Sequence, residues 1–295
     1  MYKDFTDKFL SMAITTQART LSWQAQFAEI YAARYLLRNL VSRDLKVRYK
    51  DSLLGILWSL INPLLIMGVF TVVFSKFFSR ELPAYPIFVL VGIMPWNFFN
   101  SSVMGGAQSI VGNSTLVKKV YFPRILLPTA IILSNLVSFF IFLIVLVVFL
   151  YLFGIGITRH AIWVPLIAIS QILFTLGLVY FLAAAQVFYR DISQALDVIM
   201  LALFFITPVF YSLEEFNRTA IFGIAFEPAR VMRWINPMAS IIDGYRTVLW
   251  GTFGTGEPTS MGLDFIFRTV VTCVVTFIFG YWFFYRVEHL FGEKL

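Results

Sequence analysis

Long apolar runs separated by short polar connections dominate the hydropathy pattern of this chain. Six of them approach the roughly 20 residues that a helix needs to cross the hydrocarbon core of a bilayer. The second and fifth runs are short, which favours tilted or broken helices. The pattern predicts an all-α integral membrane protein with six transmembrane helices. The runs cover residues 57–77, 87–103, 126–153, 162–187, 196–211 and 265–285.

The segment before the first run has the pattern of an amphipathic helix. From residue 27 to residue 52, apolar residues recur at helical spacing with cations among them. We expect this helix to lie in the membrane interface, with its apolar side in lipid and its cations near anionic headgroups. A simple anchor and a docking site for a partner are equally open roles. The cations are Arg34, Arg38, Arg43, Lys46 and Arg48.

The connection between the fifth and sixth runs, residues 212–264, also contains a helical signal. Asn236 can cap a helix that starts at Pro237, and apolar residues then recur along one side. Because Asp243 and Arg246 lie in this helix, a full crossing is not expected. The pattern predicts short re-entrant or surface-lying helices at the outer face.

Composition and charge support a membrane protein and set its orientation. Hydrophobic residues make up 59% of the chain and charged residues 13%, whereas soluble domains carry about 25% charge. Most of the 23 lysines and arginines lie on the same side as the N-terminus. The positive-inside rule therefore places both termini in the cytoplasm. We interpret the net charge of +7 in this way and expect no nucleic-acid partner.

The predicted organisation has two parts, and neither contains a recognisable catalytic motif. Residues 1–55 form a cytoplasmic N-terminus with the interface helix, and residues 56–295 form the six-span domain. That domain includes a cytoplasmic turn at 105–125 and the outer-face segment. His160 and His289 fall on opposite sides, Cys273 is the single cysteine, and no phosphate-binding loop motif occurs. We predict no catalytic, metal or cofactor site in this chain.

The stretch VKKVYFPRILLP, residues 117–128, interrupts the apolar pattern with cations, aromatics and two prolines. The prolines break helix continuity, and the cations favour water or an acidic partner over lipid. We expect a short bent cytoplasmic helix that inserts an apolar anchor into a partner, with a cationic rim. An ordinary cytoplasmic loop is the alternative. The anchor residues are Val117, Tyr121 and Phe122, and the cations are Lys118, Lys119 and Arg124.

Four segments resemble, in order, the permease subunit of type-2 bacterial ABC exporters for lipid-linked polysaccharides such as O antigens, capsules and teichoic acids. They are RDLKVRYKDSLLGILWSLINPLL (43–65), LVKKVYFPRILLP (116–128), VFYRDISQALDVIMLALFFITPVFY (187–211) and INPMASIIDGYR (235–246). Each is weak alone, and their order makes the resemblance specific.

The resemblance implies a permease in the bacterial plasma membrane that forms a homodimer with two copies of a separate nucleotide-binding ATPase. The ATPase would bind ATP and Mg, and the turn at 117–124 would be its coupling helix. The cargo would be a lipid-linked polysaccharide that crosses through the dimer. Export of a small drug, peptide or lipid is one alternative, and a membrane-embedded glycan transferase is another.

A candidate translocation path combines amides with aromatic rings. Amides exchange hydrogen bonds with sugar hydroxyls, and aromatic faces cover the C–H faces of sugars without fixing one sequence. Helix packing or lipid contact is the alternative role for the residues of the second run, whereas those of the first run could instead satisfy backbone groups loosened by Pro63. The candidates are Trp58 and Asn62 in the first run, and Trp96, Asn97, Phe98, Phe99 and Asn100 in the second.

Overall fold

The computed structural model describes residues 23–50, 55–77, 84–212, 219–221, 224–226, 228–251 and 263–295. Helices dominate this part of the chain, with short 3₁₀ turns between some of them. The helices are α1 (Trp23–Ala32), α2 (Arg34–Tyr49), α3 (Trp58–Phe77), α4 (Tyr85–Ala107), α5 (Ser114–Lys119), α6 (Leu126–Leu152), α7 (Val164–Phe188), α8 (Ile192–Ile206), α9 (Pro228–Ile235), α10 (Pro237–Leu249), α11 (Leu263–Val287) and α12 (Phe291–Lys294).

Each of the six predicted apolar runs forms a helix, namely α3, α4, α6, α7, α8 and α11. Within the described residues, four helical segments are long and apolar enough to cross a membrane. They are Tyr85–Ala107, Leu126–Leu152, Arg159–Phe188 and Ile266–Lys294. The apolar segments Leu60–Val73 and Ile192–Ile206 are shorter. The helical membrane class predicted from the sequence is confirmed.

Several boundaries differ from the sequence prediction. The second run is not short, because α4 extends to 23 residues. The fifth run ends early at Ile206, since Thr207 adopts an extended conformation before Pro208, as residues preceding proline commonly do. The amphipathic segment is interrupted at Ala33 and is not one continuous helix. Strands β1 (Thr219–Ile221) and β2 (Ile224–Phe226) pair antiparallel in the outer connection, where no strand was predicted.

Helix α4 lies at the centre of the structure. It contacts α3, α6, α7, α8 and α10, and most of its side chains are buried. A second apolar cluster joins the start of α6 to the ends of α7 and α11, together with α5 and α12. A first apolar cluster, which includes Met94, Phe98 and Phe139, borders the cavity described below, and the second cluster supports the turn after α5.

Helix α10 starts at the predicted cap. The Asn236 Oδ1 accepts hydrogen bonds from the backbone N–H groups of Met238 and Ala239, at 3.0 and 3.3 Å. The Asn236 amide also donates to the Thr207 hydroxyl at 2.8 Å, which fixes the start of α10 against the end of α8. Because α10 packs against α4, α7 and α11, it does not lie on the surface.

A buried cation fastens α10 to α4 and to the segment after α8. The Arg246 side chain is only 5% exposed, and its guanidinium lies 3.6 Å from the centre of the Phe88 ring. It donates to the carbonyl oxygens of Phe88, Pro208, Val209 and Tyr211. Pro208, Val209 and Tyr211 follow the end of α8, so the guanidinium supplies donors to carbonyls that lie outside the helix. We call this arrangement the Arg246 clamp.

Helices α7 and α11 cross at a pair of glycines. A methyl group at Gly280 would overlap the carbonyl of Gly177, and one at Gly177 would overlap the carbonyl of Thr276. Small residues let helix backbones approach closely inside a membrane, where packing rather than the hydrophobic effect drives association. The crossing therefore requires glycine at both positions.

We expect Gly280→Ala to separate α7 from α11, because the obstacle is backbone and not a flexible side chain. Overpacking of this kind costs about 1–3 kcal/mol of folding free energy. The measurement is the thermal unfolding midpoint of the purified protein in detergent. Gly68→Ala in α3 is the matched control, since a methyl group there meets no atom within 4 Å among the described residues. Equal midpoints for both variants would contradict the close crossing.

Candidate functional site

Helix α5 and the turn that follows it form an exposed polar and aromatic surface. Tyr121 is 95% exposed, and Lys118, Lys119 and Val120 are also exposed. The short helix and the bends at Val120 and Phe122 match the bent helix predicted for this segment. Sequence reasoning missed Val120, whose side chain lies beside Tyr121 in the chain and enlarges the apolar part of the surface. We call residues 118–121 the docking turn.

Three predicted docking residues point into the protein instead. Val117 is 4% exposed and Phe122 is 9% exposed, and both pack into the second apolar cluster. Arg124 donates to the backbone carbonyl of Glu288 and lies over the ring of Phe291, 6.0 Å from its centre. In this structure these three side chains do not form part of the exposed surface, because they secure the base of the turn.

The base of the docking turn is held from two directions. At the C-terminal end, Phe291 is fully buried and packs edge to face against Phe284, with ring centres 5.4 Å apart. At the N-terminal side, Arg43 of α2 donates to the Asn113 side chain at 3.2 Å, directly before α5. The turn is therefore connected to α2 through Asn113 and to the end of α11 through Phe291.

The cations of α2 have different surroundings, although the sequence pattern predicted the same position near lipid headgroups for all of them. Arg34 lies over the rings of Tyr31 and Tyr35, and Arg43 pairs with Asp44 at 3.3 Å. The side chains of Arg38, Lys46 and Arg48 are exposed. Part of the apolar side of α2 packs against α6, where the sequence prediction expected lipid. Arg38 borders the contact between α2 and α6. Lys46 is exposed. Arg48 lines the cavity between α3, α4 and α6.

A polar cavity of about 370 Å³ lies between α3, α4 and α6. It brings together five predicted path residues, which are Trp58, Asn62, Asn97, Phe98 and Asn100. Sequence reasoning did not place Arg48, Ser101, Asn135 and Ser138 there, although they contribute much of its polar lining. The chemistry of this lining, amides and hydroxyls with aromatic rings and one cation, suits a ligand rich in hydroxyl groups.

The structure does not bring Trp96 and Phe99 to this cavity. The Trp96 ring lies 5.5 Å from that of Phe204, and the Phe99 ring stacks on Phe174 at 5.7 Å. Both side chains are buried in the core, so they pack α4 against α7 and α8. In this structure they pack helices together, which agrees with the alternative role given above, and they do not line the cavity.

Acidic, histidine and cysteine side chains do not gather into a metal site in the part of the chain that the structure describes. No group of three or more such residues lies close enough there to hold an ion. The arrangement instead provides an open cavity lined by amides and hydroxyls, and a protruding turn after α5.

Comparison with known proteins identifies the family of this chain. The model of the family described as ABC-2 type transporter matches residues 35–250, which include the docking turn and the cavity. An O-antigen export system permease protein, RfbA, from Myxococcus xanthus is 37% identical over 223 residues, covering 75% of this chain and 83% of that protein. A Klebsiella pneumoniae protein with the same description is 30% identical over 261 residues, covering 88% and 95%. The chain therefore belongs to the ABC-2 type transporter family of membrane proteins.

Proposed function

We propose that this chain is the permease subunit of an ATP-driven exporter that moves a lipid-linked polysaccharide of the O-antigen type across the bacterial plasma membrane. The observation that carries this proposal is the 37% identity, over three quarters of the chain, to a protein described as an O-antigen export permease. The amide and hydroxyl lining of the cavity is suited to such a cargo.

The energy source in this proposal is a separate subunit. The family implies an ATPase partner, and the sequence contains no phosphate-binding loop motif of its own. Two ATPase copies, which bind ATP and Mg, serve a homodimer of this chain. The docking turn is the contact, because Lys118, Lys119 and Tyr121 protrude from a base that is fixed to α2 and α11.

In the proposed topology, all six apolar helices cross the membrane and both termini face the cytoplasm. Helix α2 lies at the interface with its cations near lipid headgroups. Helix α10 is re-entrant, and the Arg246 clamp satisfies its cation within protein rather than lipid. Passing sugars make weak, repeated contacts with Trp58, Asn62, Asn97 and Asn100, which allow release as readily as entry.

Deletion of the gene tests the proposed cargo directly. We expect loss of the surface polysaccharide together with accumulation of the lipid-linked glycan inside the cell, because synthesis continues without export. Surface glycan is measured by immunoblotting, and the internal glycan is measured after lipid extraction. A plasmid copy of the wild-type gene should restore both. Intact surface glycan together with altered drug susceptibility would overturn the proposal in favour of small-molecule export.

A further inference from the structure

The cavity between α3, α4 and α6 contains a buried polar atom that the fold itself does not satisfy. Asn135 on α6 is 3% exposed, and its amide nitrogen donates to the Ser102 hydroxyl at 3.2 Å. Its Oδ1 has no hydrogen-bond partner among the described residues. Exchanging the amide oxygen and nitrogen would leave the other edge unpaired, so either orientation has one unsatisfied group.

An unsatisfied amide edge in a polar cavity indicates a ligand. Leaving such a group unpaired costs about 1–3 kcal/mol, whereas a leucine of similar size at this position would avoid the cost. Ser102 fixes one edge of the amide, and Asn135 lines the same cavity as Asn97 and Asn100. The unpaired edge is itself buried, so it can exchange a hydrogen bond with a hydroxyl or amide group of a bound molecule once the Asn135 amide rotates toward the cavity.

The charge of the cavity specifies a second feature of this ligand. Arg48 supplies a guanidinium, and the described lining residues include no carboxylate that would neutralise it. A guanidinium presents several N–H donors in a plane and binds phosphate more specifically than an ammonium group does. Trp58, which also lines the cavity and is half exposed, can cover the face of a sugar. The lining thus combines phosphate and sugar recognition within one site.

We propose that this cavity binds the phosphate-bearing first sugar of the lipid-linked glycan. Arg48 binds the phosphate, and the free edge of the Asn135 amide binds a substituent of the sugar ring. Of the cations on α2, Arg48 is selected because Arg43 is engaged by Asp44 and Asn113, whereas Lys46 does not line the cavity. This inference rests on the proposed function, since it assigns one end of the proposed cargo to a site within a single chain.

Binding to the full-length chain in lipid nanodiscs separates the two contacts. The probes are farnesyl diphosphate and the same lipid carrying one N-acetylglucosamine. We expect Arg48→Gln to weaken both probes roughly 10-fold, because it removes a charge-assisted contact. Asn135→Leu should weaken only the sugar-bearing probe, about 5-fold. Lys46→Gln is the matched control for loss of positive charge on α2 and should bind both probes like the wild type.

Equal weakening by Arg48→Gln and Lys46→Gln would overturn the proposal, since general charge would then explain binding. Wild-type affinity in both cavity variants would overturn it too. If Asn135→Leu fails to fold, Ser101→Cys provides a second test, because this exposed position lines the cavity. The sugar-bearing probe should slow the reaction of the cysteine at position 101 with a maleimide. It should not slow the reaction of Tyr121→Cys, which is the control. Equal labelling rates at position 101 with and without the probe would contradict the site. If gene deletion abolishes the surface glycan but the binding or labelling experiment gives one of these negative results, the proposed export function stands. Only the assignment of this cavity as a binding site is then rejected.

Discussion

Arg246→Ala is expected to lower the thermal unfolding midpoint of the protein more than any other single change considered above. The substitution removes the guanidinium donor from the carbonyls of Phe88, Pro208, Val209 and Tyr211, and the contacts to Phe88, Pro208 and Val209 are buried. Each unsatisfied buried group lowers the free energy of unfolding by about 1–3 kcal/mol. Removing the buried charge also removes its desolvation cost, which offsets part of this loss. We expect a net loss of about 3 kcal/mol and a decrease in the midpoint on the order of 10 °C.

The geometry of the side chain, and not only its charge, should determine this loss. Arg246→Lys retains the charge but cannot reach four carbonyls with a single ammonium group, so we expect only partial recovery. Arg230→Ala, an exposed arginine of α9, is the matched control and should leave the midpoint unchanged. A wild-type midpoint for Arg246→Ala in detergent would show that the clamp does not stabilise the fold. Gly92→Ala would disturb the same contact, because the added methyl group would lie 2.6 Å from the Arg246 guanidinium.

The helices could be predicted from the sequence because their signals are local. An apolar run of membrane-spanning length has few alternatives to a helix, since lipid cannot satisfy free backbone groups. The Asn236 cap could be predicted for the same reason, as the cap and the N–H groups it binds lie within three residues. The end of α8 at Ile206 was also predictable in retrospect, because Pro208 restricts the residue before it.

The orientation of the docking turn could not be predicted, because distant residues determine it. Arg124 bonds to Glu288 and lies near Phe291, which are more than 160 positions away in the chain. Aromatic and cationic composition alone cannot tell which of Tyr121 and Phe122 faces outward. The helix at the C-terminus covers the inner side of the turn, so Phe122 becomes core and Tyr121 stays exposed.

The cavity lining was partly available from helical geometry. Residues three and four apart share a helix face, so Asn97, Asn100 and Ser101 lie together, whereas Phe99 falls on the opposite side. Applying this spacing would have removed Phe99 from the candidate path, but not Trp96, which lies one turn from Asn100 and packs against Phe204 in the tertiary structure. The polar pair Ser134–Asn135 within the very apolar run of α6 was a further signal, since polar residues at membrane depth commonly have specific partners. The selection of Arg48 among the α2 cations required the tertiary structure.

Tyr121→Ala is expected to abolish most of the coupling to the ATPase without affecting the fold. The side chain is 95% exposed and makes no core contact, so its removal should leave the unfolding midpoint unchanged. An exposed aromatic residue at the centre of a docking surface is a typical hot spot, and its loss costs 2 kcal/mol or more. We expect the affinity for the ATPase subunit to fall about 30-fold and reconstituted export to fall with it.

The adjacent Phe122 separates a loss of docking from a loss of folding. Because Phe122 is buried, Phe122→Ala should cost about 3–5 kcal/mol of stability and lower the unfolding midpoint. A loss of ATPase binding in this variant could therefore reflect unfolding and not a lost contact. A double change at 121 and 122 would confuse these effects, so the single variants must be compared with wild type for midpoint, ATPase binding and export. Normal ATPase binding and export by folded Tyr121→Ala would contradict the assignment of the docking turn. The turn would then be an ordinary cytoplasmic connection, and the ATPase contact would have to lie elsewhere on the chain.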